Sequence, residues 1–208
     1  MLTYRIVSPP EKRLENPSFS DHFKLVSSSA NYWIVFSVPL IIGACICLLI
    51  VLKAYPVKKS MLELLALYVT SGFSLLCFVR FALVKDKFFL WASGMMLVLF
   101  VREIHPPGSS GGVYVGLLAL LYIAHKNPQI FNAYMRSKTL VTMLGVGFFT
   151  YFISVTTDQR WWKFIPGEKV VQSSLEESME LLGHVVIGSA LLFAARARSG
   201  DEPVLDKD

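Results

Sequence analysis

The sequence predicts an all-α fold, a polytopic integral membrane bundle of six transmembrane helices. Of its 208 residues, 54% are hydrophobic and only 17% are charged, against roughly 25% charged in soluble domains. Mean hydropathy is +0.53, and apolar stretches of span length recur along the chain.

The expected spans are Tyr32–Ala54, Met61–Val84, Phe88–Glu103, Gly112–Ala124, Thr139–Thr157 and Leu175–Ala195. The second has Glu63 just inside its start and Arg80 near its inner end. The third closes on the polar run VREIHPPG, from Val101 to Gly108. The fourth, GGVYVGLLALLYIA, is short, since a span needs roughly 20 residues. Pro107 is well placed as a first helical residue, and a helix begun there reaches span length at His125. The alternative is a re-entrant fourth segment. The sixth opens on LEESMELLGH, and its uncharged apolar run begins only at Val185. Connections this short favour one bundle over residues 31–196. Residues 1–30, with Pro9, Pro10 and Pro17 among mixed charges, read as a polar cytoplasmic tail and not as a signal peptide. Residues 197–208 read as a disordered tail.

Lysines and arginines set the expected orientation. With six spans and the N-terminus inside, twelve lie on the inner side and six on the outer, Arg80 and Arg102 being within spans. The positive-inside rule therefore gives N-in and C-in. A re-entrant fourth segment would leave nine on each side. Tyr32, Trp33, Tyr55, Trp91, Tyr122, Trp161 and Trp162 fall near predicted span ends, where amphipathic rings settle at the interface. Cys45, Cys47 and Cys77 all lie within spans, and neither a disulfide nor a cysteine metal site is expected.

This topology gathers ionisable residues in the outer leaflet. Glu63 comes from the second span, Arg102, Glu103 and His105 from the third, Asp158 and Arg160 from the fifth, and Glu176, Glu177, Glu180 and His184 from the sixth. Ser173 and Ser174 each precede a glutamate by three residues, a capping-box spacing, and carboxylates in a first turn favour the helix dipole. Glu176 and Glu177 are therefore expected to cap. Counted from Leu175, Glu180 lies roughly 7 Å in and His184 roughly 13 Å in, too deep to cap. A charge at such depth costs roughly 2.5–3.5 kcal/mol on insertion scales, so Glu180 is expected to pair with Arg102. His184 is expected either to hydrogen-bond a neighbouring helix as a neutral imidazole or to join a site.

Glu177, Glu180 and His184 share one helical face by their spacing. With Glu103 and His105 they form a candidate cluster for a divalent metal such as Zn, Mn or Fe, or for protons. The patterns E-x-H and E-x-x-E-x-x-x-H are loose. The chain does not meet the three-histidine zinc pattern of the alkaline ceramidase and adiponectin-receptor group, because only His105 and His184 of its four histidines can meet. No Walker loop or nucleophile elbow is present, and the scattered basic residues do not fit nucleic acid. The small-xxx-small spacing Gly112–Gly116 and the glycines Gly183 and Gly188 point to close helix packing.

The first expectation for function is a structural or partner-binding membrane subunit, held by a buried network of Arg102, Glu103, Glu180 and His184. It would sit in the lipid bilayer beside other membrane subunits, and a bacterial inner membrane suits it. The alternative is a metal-dependent hydrolase acting on a lipid at the outer leaflet, in which a metal-bound water attacks. The second alternative is a proton- or ion-coupled carrier using Glu180 and His184.

Overall fold

Capping residues in the sequence divide the chain into its helices. A computed structural model describes residues 19–55, 58–104, 109–165 and 167–195. Among these it shows eight helices and no strand: α1 Phe19–Ser29, α2 Tyr32–Val51, α3 Lys59–Val84, α4 Lys87–Glu103, α5 Ser109–Lys126, α6 Pro128–Met135, α7 Lys138–Asp158 and α8 Glu168–Leu192. Asn31, Asp86 and Ser137 cap α2, α4 and α7, each side chain accepting a hydrogen bond from a first-turn amide, as short polar side chains do at helix starts. Lys85 ends α3 in the left-handed region at φ 58°. Its neighbour Asp86 also accepts a hydrogen bond from the Tyr134 hydroxyl at 2.6 Å, tying the α3–α4 turn to α6.

Helix α8 is the central strut, packed by α7, α3, α2 and α4, whereas α5 leans mainly on α4. Two backbones meet closely where side chains vanish. A Cβ added at Gly147 of α7 would lie 2.5 Å from Cγ1 and 3.2 Å from the backbone nitrogen of Ile187 on α8, and one at Gly183 would lie 3.3 Å from the Gly147 carbonyl. Ser74 of α3 and Ser93 of α4 exchange hydrogen bonds with each other's carbonyl oxygens at 3.0 and 2.9 Å. The aromatic core lies at the other end of the bundle, where Phe88 stacks on Tyr134 with centroids 3.8 Å apart.

Three helices, α2, α3 and α7, are long and apolar enough to cross a membrane. Outward-facing Phe36, Leu40, Ile41 and Leu48 leave α2 clothed in exposed hydrocarbon, which suits lipid and not water. The chain therefore has the character of a membrane protein.

Several expectations require correction. The sixth apolar segment is expected from Leu175, but α8 begins at Glu168, after Gly167 turns through a left-handed φ of 83°. Glu176 and Glu177 thus lie in the third turn, not the first, and Ser173 and Ser174 are helix interior and not caps. Part of the expected tail, residues 19–29, forms α1, and the connection after α5 contains α6 with Pro128 in its first turn. The Trp91 indole donates to the Leu120 carbonyl at 2.9 Å, joining α4 to α5. Arg80 lies over the Phe89 ring at 4.1 Å and donates to the Ala194 carbonyl beyond the end of α8. Gly183 and Gly116 sit close to neighbours as their spacing suggests, but a Cβ at Gly112 meets nothing within 4 Å.

Gly147→Ala is expected to lower stability by about 1–3 kcal/mol, the cost of overpacking, because the Ile187 backbone cannot yield. Gly112→Ala is expected to leave the melting temperature unchanged or raise it, since alanine favours helix by roughly 1 kcal/mol. Thermal unfolding of the two variants in detergent micelles checks both.

Candidate functional site

The carboxylates of α8 are distributed among cations from different parts of the chain. Glu168, in the first turn, receives two hydrogen bonds from Arg160, at 3.3 and 3.2 Å. That carboxylate raises the Arg160 guanidinium pKa further above its ordinary value by hydrogen bonding and charge. Glu177, in the third turn, meets the Lys59 ammonium of α3 at 2.8 Å. Lys59 opens α3, where the helix dipole disfavours a cation, and Glu63 joins it at 3.6 Å from the next turn. Glu180, one turn deeper, pairs with Arg102 of α4. Glu176 stays half-buried between them, and Asp158 is exposed, accepting from the Gln159 amide at 3.2 Å.

Arg102 and Glu103 are consecutive and end α4, yet both reach α8. Arg102 also donates to the Tyr151 hydroxyl of α7, and its guanidinium lies 4.8 Å from the Tyr151 ring centroid. One arginine therefore ties α4 to both α7 and α8. Glu103 approaches the neighbouring imidazole, its Oε1 lying 3.8 Å from Nε2 of His184. His184 is fully buried, with its ring tilted against Tyr151 at 5.6 Å between centroids. Among the described residues, neither ring nitrogen of His184 has a hydrogen-bond partner. Donor atoms of Glu103, Glu180 and His184 all lie within 4.8 Å of one another.

The structure thus brings together Arg102, Glu103, Glu180 and His184 out of the residues singled out by sequence. It does not bring Glu177 to them. The spacing that put Glu177 on the face of Glu180 and His184 is real, but Lys59 draws its carboxylate toward α3. Glu63 and Arg160 serve separate ion pairs, and His105 lies outside the described residues. Sequence reasoning missed three participants. Lys59 looked like one of several loop cations, and Glu168 lay ahead of the apolar run. Tyr151 carries a legible signal, a tyrosine well inside a predicted span, away from either interface.

A cleft of about 620 Å³ opens elsewhere, between α2, α7 and the start of α8. Cys47, Val51, Ile153, Thr157, Trp162 and Gln172 are among its walls, and Glu103, Glu180 and His184 are not.

Tyr151→Phe is expected to cost about 2 kcal/mol, as loss of a hydrogen bond to a charged group does, while keeping the ring beside Arg102. Tyr151→Ala is expected to cost more, because the ring contact goes too. Denaturant titration in micelles ranks the pair. Comparison with protein-family models, curated proteins and solved structures finds no match to this chain.

Proposed function

We propose that the chain is a six-span integral membrane protein of a bacterial inner membrane, with both termini cytoplasmic. On this reading it is a structural or partner-binding subunit whose bundle is held by buried polar contacts. The observation supporting it is the distribution of charge along α8. Glu168, Glu177 and Glu180 each meet a cation, supplied by the connection after α7, by α3 and by α4 respectively. Such an arrangement fixes one strut against its neighbours in a single rotation and register. The six-span count rests on α4, α5 and α8 crossing beside the three longer helices, and the orientation rests on the excess of inner lysines and arginines.

A buried ion pair adds little against a well-packed apolar substitute, but loss of one partner leaves a charge uncompensated. Reversing one member alone, Arg102→Glu or Glu180→Arg, is expected to cost about 3–5 kcal/mol or prevent folding. The doubly reversed chain is expected to recover a large part of that loss. Yield of monodisperse protein and unfolding in micelles give the readout. Single reversals that leave stability unchanged, or a double reversal no better than either single, contradict the scaffold.

A second reading, a metal-dependent hydrolase acting on a lipid at the outer leaflet, is favoured by one observation, the proximity of Glu103, Glu180 and His184. Release of fatty acid or headgroup from lipid vesicles by the purified protein, absent from Glu103→Gln, is its test.

A further inference from the structure

We propose that Glu103 of α4 and Glu180 and His184 of α8 bind one divalent transition-metal ion of the zinc, manganese or ferrous class. The inference stands on the geometry of these two helices and holds whether the chain is a scaffold or an enzyme.

Clustered carboxylates alone would not carry it. The second observation is His184, a fully buried imidazole whose nitrogens both lack a hydrogen-bond partner among the described residues. Leaving a buried polar atom unsatisfied costs about 1–3 kcal/mol, so an imidazole in this state calls for a partner. Nε2 faces the Glu103 carboxylate at 3.8 Å, too long for a hydrogen bond. The separation is close to that of two ligands on one ion. Ligand bonds of about 2.0–2.1 Å in a tetrahedral site place donors roughly 3.3 Å apart, so contraction by about half an ångström closes the first edge. Glu180, within 4.8 Å of the other donors, supplies the third ligand.

The donor set selects the class of ion. One imidazole with two carboxylates suits zinc, manganese or ferrous iron. The cysteines, Cys45 and Cys47 on α2 and Cys77 on α3, are not part of the cluster. Three protein ligands leave at least one position for water. Charge is consistent with a cation. Glu103 stands at the C-terminus of α4, where the dipole also favours positive charge. Arg102 has a defined part. It holds one oxygen of Glu180 and leaves the carboxylate's other lone pairs to the ion, as outer partners of a ligating carboxylate do.

The test uses the full chain with an affinity tag free of histidine, purified in micelles, loaded separately with Zn²⁺, Mn²⁺ and Fe²⁺, desalted and measured by elemental mass spectrometry. The expected result is close to one equivalent of a single ion. Glu103→Gln and His184→Gln are each expected to weaken binding at least tenfold, while Glu63→Gln, outside the cluster, leaves it unchanged. X-ray absorption at the metal edge is expected to show one imidazole among oxygen ligands, a signature that structural loss alone does not produce. Monodisperse wild type that retains none of the three ions overturns the proposal. So does a bound ion whose loading is untouched by Glu103→Gln, the more conservative change. Stability of the Arg102/Glu180 reversal is read separately, so failure of the metal site and failure of the scaffold are distinguishable.

Discussion

Glu180 cannot stay ionised inside a helical bundle without a cation beside it, and Arg102 at the end of α4 is that cation. Much of the arrangement around α8 is linked to this requirement. To meet Glu180, α4 must stop level with the middle of α8, and Arg102 must lie in its last turn, where the dipole also favours a positive charge. To hold the guanidinium from the other side, α7 must present Tyr151 there. Gly147 and Gly183 let α7 approach closely enough on the same stretch of α8.

The same reasoning orders the remaining charges. Glu177 alone would be a buried carboxylate, and Lys59 alone would be a cation at the positive end of α3. Together each removes the other's difficulty. Arg160 and Glu168 do likewise at the start of α8, in a similarly half-exposed setting. The strut is therefore held at three levels, and hydrocarbon faces such as that of α2 are left for lipid. His184 is the exception: the ring is buried, yet among the described residues no hydrogen bond satisfies it.

Where apolar residues alone decide, the sequence is easy to read. The starts of α2, α3, α4 and α7 fall within two residues of the expected segments, because hydropathy changes sharply at Asn31, Lys59, Lys87 and Lys138. The start of α8 is not legible that way. Its first two turns, EKVVQSS, are held by Gly167 and by charge pairing, which a hydropathy window does not register. For that reason the capping role expected of Glu176 and Glu177 fails. The meeting of Arg102 with Glu180 was foreseeable, because two opposite charges at similar depth have few alternatives. The choice of Lys59 by Glu177 was not, since helical spacing defines a face but not which neighbouring helix supplies the partner. Tyr151 lies between these cases, legible as a polar group in a span but not as the second acceptor for Arg102.

The most direct measurement is a dipolar distance in lipid bilayers between guanidinium nitrogen-15 of arginine and side-chain carboxyl carbon-13 of glutamate, by magic-angle spinning. Among the described residues, wild type should show close arginine–glutamate pairs at about 4 Å, from Arg102–Glu180 and Arg160–Glu168. Arg160→Lys should remove only the second contribution, and adding Glu180→Gln should abolish the remainder. If the signal left in Arg160→Lys survives Glu180→Gln, or if Arg160→Lys alone abolishes it, then Arg102 does not meet Glu180 and the account of the bundle fails.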